Sequence, residues 1–62
     1  MASSSFDLYL SDGKVHQKLG HYSNARRCYR WARDVATTTD EQTRAKRLIT
    51  ECTDKIGDGP HR

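Results

Sequence analysis

Residues 20–36, GHYSNARRCYRWARDVA, decide the fold, because they carry the clearest helical pattern in the chain. Small and aromatic side chains recur there at intervals of three or four residues, which places them on one side of a helix. These residues are Tyr22, Ala25, Tyr29, Ala32 and Ala36, with Cys28 and Val35 at the edge of the same sector. We therefore predict an amphipathic helix from about Tyr22 to Thr37, whose small residues let a neighbouring helix approach closely.

A second amphipathic segment precedes this helix, from about Phe6 to Leu19. Its apolar face is approximated by Phe6, Tyr9, Leu10, Gly13 and Leu19. A glycine inside a helix costs about 1 kcal/mol relative to alanine. Gly13 therefore indicates a neighbouring helix that comes too close for a side chain.

A third segment follows, from Asp40 to Ile56, after the β-branched run Thr37-Thr38-Thr39. Either Thr38 with Glu41 or Thr39 with Gln42 can open it as a capping box, and Gly57 is a typical stop. Its apolar face consists of Ala45, Leu48, Ile49, Cys52 and Ile56. No segment of the chain alternates like a β-strand.

The three segments predict an all-α fold, an antiparallel helical hairpin with a C-terminal helix that covers its exposed side. We expect residues 1–5 to be a disordered N-terminus, residues 6–56 the helical domain, and residues 57–62 a flexible C-terminal tail. A chain of 62 residues buries only about 60% of the surface that its unfolded form exposes. We therefore expect a homo-oligomer or a place in a complex, since either adds burial.

The middle helix and the turn before it share one regular spacing of small and aromatic residues. The spacing is Gly20-His21-Tyr22-x2-Ala25-x3-Tyr29-x2-Ala32. It resembles the second half of a tetratricopeptide repeat, a helix-turn-helix unit of about 34 residues. The resemblance covers residues 6–39 and implies one paired-helix unit followed by a capping helix.

The first helix agrees with this family in part. Gly13 stands at its small packing glycine, Tyr9 at its tryptophan and His16 at its tyrosine, whereas Asp12 and Thr37 replace a leucine and a proline. The family generally binds peptides along the face of its first helices. The resemblance implies that this face presents Asp7, Leu10, Lys14, Gln17 and Lys18. Because repeat proteins stack about three or more units, self-assembly would supply the missing neighbours.

Positive charge is concentrated in one part of the chain. The net charge is only +3, yet residues 14–33 contain no acidic residue. Arg26, Arg30 and Arg33 share one stripe beside the apolar sector, and Arg27 pairs with Trp31 on another side of the helix. The candidate partner-binding residues are Lys14, Lys18, Arg26, Arg27, Arg30, Trp31 and Arg33.

This basic surface predicts a small non-enzymatic adaptor or regulatory module that docks an acidic protein or peptide partner. Arginine and tryptophan are favoured anchors of protein interfaces. The alternative is a small nucleic-acid-binding protein, because arginines interleaved with Tyr22, Tyr29 and Trp31 also suit phosphate contact and base stacking.

Catalytic and metal chemistry have little support in the sequence. Cys28 and Cys52 form no CxxC pair, and with His16 and His21 they match no usual zinc-ligand spacing. We expect no catalytic residues, no metal and no cofactor, and two free thiols on packed helix faces. The beginning, residues 1–5, has neither a signal-peptide pattern nor a long apolar run, so we expect a cytoplasmic protein without a membrane segment.

Overall fold

Three α-helices joined by two short turns make up the computed structural model, which describes residues 5–57 of the chain. Helix α1 spans Ser5–Lys18, α2 spans Tyr22–Val35 and α3 spans Thr39–Ile56. No strand occurs within residues 5–57, and the predicted all-α hairpin with a third helix is confirmed. Ser5, which the sequence predicts as the end of a disordered N-terminus, is instead the first residue of α1. The predictions for residues 1–4 and 58–62 lie outside the described residues.

Helix α2 lies in the middle of the molecule. It packs along α1 on one side and along α3 on the other, whereas α1 and α3 touch at few points. The Cα atoms accordingly extend 25 Å across the helices and 12 Å in the thinnest direction. The third helix covers the hairpin along α2, so that the three helices lie side by side as a layer.

The core runs along the buried side of α2, where Ala25, Tyr29 and Ala32 are fully buried. The flanking helices contribute Phe6, Leu10, Ala45 and Cys52 to the same cluster. The predicted position of Leu19 on the apolar face of α1 is wrong, because this side chain is 64% exposed. Leu19 follows Gly13 by six residues, which turns it about 120° away around the helix axis.

Gly13 marks the closest approach of α1 and α2. A Cβ atom at this position would lie 2.7 Å from Cδ1 and 2.9 Å from Cζ of Tyr29, well inside van der Waals contact. The hydroxyl of Tyr29 donates a hydrogen bond to Oε1 of Gln17 at 2.6 Å, which fixes the ring against α1. Gly13, Ala25 and Ala32 are all buried, so the predicted seam of small residues is confirmed.

The segment between α2 and α3 belongs to the start of α3. Thr38 is the N-cap, and its Oγ1 accepts a hydrogen bond from the Glu41 amide at 3.1 Å. The Glu41 carboxylate reaches back and accepts the Thr37 amide proton at 3.0 Å. Helix α2 therefore ends at Val35, two residues before the predicted end. Gly57 closes α3 with φ of 76°, as predicted.

The buried phenol of Tyr29 predicts a loss of stability at alkaline pH. Burial, with smaller effects of Cys52 and Glu51, raises the pKa of Tyr29 to about 12. An unfolded tyrosine has a pKa of about 10, so the folded protein holds this proton more strongly. The resulting stabilisation is complete below pH 10 and is lost as the pH rises towards 12, by about 2 kcal/mol at most.

Urea unfolding of the wild type and of Tyr29→Phe across this pH range checks the effect. Phenylalanine does not titrate, so other alkaline titrations affect both proteins and cancel in the difference. We expect the wild type to exceed the variant in free energy of unfolding at neutral pH, and this excess to shrink above pH 10. A pH-independent difference would contradict the assignment.

Candidate partner-binding site

The outer side of α2, opposite its buried residues, carries an open groove of about 540 Å³. All its lining residues belong to α2 and recur at intervals of one, three or four positions along one side of the helix. They are Ser23, Arg26, Arg27, Arg30, Trp31 and Asp34. At 1.5 Å per residue, this arginine groove follows the helix for roughly 16 Å.

Contacts with both neighbouring helices hold side chains of the arginine groove in place. Towards α1, the ring of Trp31 lies 5.7 Å from the ring of Tyr9, measured between centroids, at an interplanar angle of 47°. Towards α3, Nη1 of Arg26 donates a long hydrogen bond of 3.5 Å to Oγ1 of Thr53. Trp31 remains 47% exposed, so its indole is supported on one side and accessible on another.

The charges of the arginine groove are unequal in number. Arg27 and Arg30 are exposed, and neither donates a side-chain hydrogen bond to another residue of the described range. Asp34 lies one turn after Arg30 and brings a single carboxylate to the same groove. Three guanidinium groups against one carboxylate leave the groove positive, with a negative charge near the end of α2.

The structure brings together four of the predicted partner-binding residues. The arginine groove includes Arg26, Arg27, Arg30 and Trp31. The helical periodicity places these residues on two separate sides of the helix, because consecutive positions such as Arg26 and Arg27 lie 100° apart around the axis. The long side chains instead converge on one groove.

Three other predicted residues lie elsewhere. Arg33 is half-buried and does not line the arginine groove, and Lys14 and Lys18 are exposed on α1. Ser23 and Asp34 line the groove without having been predicted, although their spacing of four residues from Arg27 and Arg30 places them on the same side of α2.

The peptide-binding face implied by the resemblance is partly used within the fold. Leu10 is buried in the core, and the side chain of Gln17 accepts the hydrogen bond from Tyr29. Lys14 and Lys18 remain exposed on α1. A peptide lying along α1 would therefore meet these lysines without the apolar and amide groups expected beside them.

The cysteines are free and buried, as the sequence predicted. Burial raises the pKa of both thiols, and the nearby charges of Asp12 and Glu51 raise the pKa of Cys28 and Cys52 further. Both therefore favour the unreactive thiol form at neutral pH. Within residues 5–57, no three His, Cys, Asp or Glu side chains converge as metal ligands.

Comparisons of the chain with family models, with curated proteins and with solved structures found no match. None of the three helices of the described range is long and apolar enough to span a lipid bilayer. The tetratricopeptide resemblance is thus unconfirmed. What the structure establishes is a three-helix, all-helical domain with a positive groove along its central helix.

Proposed function

We propose that this protein is a small adaptor or regulatory module that binds an acidic protein segment in the arginine groove, without catalysing a reaction. The observation that carries the proposal is the placement of Arg27 and Arg30 beside the half-exposed ring of Trp31. Interface hot spots are enriched in these two residue types, and Trp31 is the only tryptophan of the chain. Its contact with Tyr9 orders the ring before a partner arrives, which lowers the entropy cost of binding.

Two features favour an acidic protein over a nucleic acid. Asp34 lies within the groove, where it would repel a phosphate backbone, whereas a protein segment can meet it with a basic or amide side chain. Two of the three aromatic residues suggested for base stacking are used in packing: Tyr29 is fully buried and Tyr22 is half-buried against the core. Only Trp31 would remain for stacking.

The resemblance to a tetratricopeptide unit supports peptide binding in general terms. In this chain the exposed anchors lie on the second helix instead of the first. The paired helices therefore serve as the support, as in that family, and the binding surface is the outer side of α2. Binding by a short helix face fits a weak, reversible interaction with one segment of a partner.

Arg30→Glu is expected to weaken partner binding at least about tenfold, which corresponds to about 1.4 kcal/mol. The side chain is exposed, so the free energy of unfolding should change by less than about 0.5 kcal/mol. The measurement is a titration of Trp31 fluorescence with a helical peptide that carries glutamates at three- and four-residue spacing and one leucine. Arg44→Glu, an equal charge change at an exposed site on α3, is the matched control.

The titration also separates the two partner classes. The wild type and Arg44→Glu should bind the acidic peptide alike, and equal weakening by both variants would show attraction to net charge and not to the groove. Mixed-sequence oligonucleotides at two salt concentrations test the alternative. Tighter binding of the oligonucleotides with a steep salt dependence would favour the nucleic-acid function.

A further inference from the structure

Helix α1 carries a second apolar stripe on the side that faces away from α2. Leu8, Val15 and Leu19 are 59%, 56% and 64% exposed. Their spacings of seven and four residues place them within about 40° of one another, opposite the buried residues of α1. Leu19 keeps its helical position just past the end of α1, because its amide donates to the Val15 carbonyl at 3.1 Å. We call these three residues the outer stripe.

The position of α1 in the layer leaves the outer stripe uncovered by any other helix of residues 5–57. Helix α3 lies on the far side of α2 and touches α1 at few points. A helix that is apolar on two sides is typical of one buried between two neighbours. In this layer α1 has one such neighbour.

Charges beside the outer stripe indicate what covers it. Asp7 and Lys18 are eleven residues apart, which places them on the same flank of the stripe, near opposite ends of α1. In an antiparallel pair of helices related by a twofold axis, the same flank of each helix faces its equivalent in the other copy, and the two chains run in opposite directions. Asp7 of one copy then lies opposite Lys18 of the second copy, and the pair occurs twice. In a parallel pair, Asp7 of one copy and Lys18 of the other would lie roughly 16 Å apart along the helix axis and could not pair.

We propose that the outer stripe is a self-association surface, on which α1 packs antiparallel against α1 of a second copy. The pairing buries Leu8, Val15 and Leu19 of each copy and joins Asp7 to Lys18 across the interface. A stable interface uses about 20–30 residues on each side, far more than this stripe provides, so the association is reversible and depends on concentration. The arginine groove lies on α2, outside this interface, so the dimer presents two grooves and gains avidity for a repetitive partner.

Asp12 provides a further test of the antiparallel dimer. It lies on the other flank of the stripe near the middle of α1, so the two Asp12 side chains approach each other close to the twofold axis. Their repulsion weakens the dimer, as does that between the two Lys14 side chains, which lie on the flank of Asp7 and Lys18 near the middle of α1. Asp12→Asn is therefore expected to strengthen association, whereas loss of a charge at a surface outside the interface has no such effect.

Sedimentation velocity of the full chain over a wide concentration range tests the surface. The wild type should shift reversibly from monomer to dimer, and Val15→Glu should remain monomeric at every concentration. Thr43→Glu, at an exposed site on α3, introduces the same charge outside the outer stripe and should dimerise like the wild type. A wild type that stays monomeric throughout, or Val15→Glu that dimerises equally well, overturns the proposal.

A mixing experiment tests the antiparallel orientation. Asp7→Lys alone places lysine against lysine, and Lys18→Asp alone places aspartate against aspartate, so each variant should dimerise at least about tenfold more weakly than the wild type. An equimolar mixture restores both attractive pairs and should dimerise more strongly than either variant. Circular dichroism of each variant first establishes that α1 is intact. A mixture no stronger than its components excludes the antiparallel pairing.

Discussion

Gly13→Ala is expected to lower the free energy of unfolding by about 1–2 kcal/mol, although alanine normally favours a helix over glycine by about 1 kcal/mol. The added Cβ would lie within 3 Å of ring atoms of Tyr29, which is fully buried. The ring cannot withdraw easily, because its hydroxyl is bound to Gln17 and its faces pack in the core. Overpacking of this kind costs about 1–3 kcal/mol or more, and the crowding at three ring atoms outweighs the gain in helix propensity.

Urea unfolding followed by circular dichroism measures the effect. Ser11→Ala is the control, since Ser11 is exposed on the same helix and the change should be neutral or slightly stabilising. Gly13→Leu extends the series, and its larger side chain should destabilise the fold further. If Gly13→Ala were more stable than the wild type, the close approach of α1 and α2 would be wrong.

The helices and their main seam could be predicted from the sequence because they depend on local periodicity. Ala25, Tyr29 and Ala32 recur at helical spacing. Glycine is unfavourable inside a helix, so Gly13 indicates that another helix lies against it. The capping pair of Thr38 and Glu41 is a local signal as well. Such signals act within a few residues of one another and need no knowledge of the rest of the fold.

The arrangement of the three helices could not be predicted in the same way. Periodicity shows which side of α3 is apolar, but whether α3 packs mainly on α2 or on both helices of the hairpin depends on contacts between distant residues. Helix α2 also ends early because the Glu41 carboxylate binds the amide of Thr37, which competes with a further turn of helix.

The candidate site was only partly predictable for a related reason. A helical wheel assigns positions to faces by the backbone, whereas an arginine side chain reaches across a neighbouring face. Arg26 and Trp31 therefore border the same groove from opposite sides. The outer stripe does not follow from the same periodicity, because Leu8 and Val15 lie outside the predicted apolar face of α1.

Ala25→Arg is expected to leave most of the protein unfolded. Ala25 is fully buried in the core cluster, and no polar or charged side chain is buried in the described range to receive a guanidinium. Burying an unpaired charge costs several kcal/mol, and a domain of this size has only about 3–9 kcal/mol of stability in total. Interactions at the helix end cannot offset this cost, since the N-terminus of α2 has no side-chain cap and no acidic residue in its first turn.

The loss should extend to all three helices, because α2 is the neighbour on which both α1 and α3 pack. Circular dichroism should show little helix and no cooperative urea transition. Asn24→Arg is the matched control: it adds the same charge at the preceding, exposed residue and should keep the wild-type transition within about 0.5 kcal/mol. Equal stability of the two variants would mean that Ala25 does not face the core, and the single layer built around α2 would have to be abandoned.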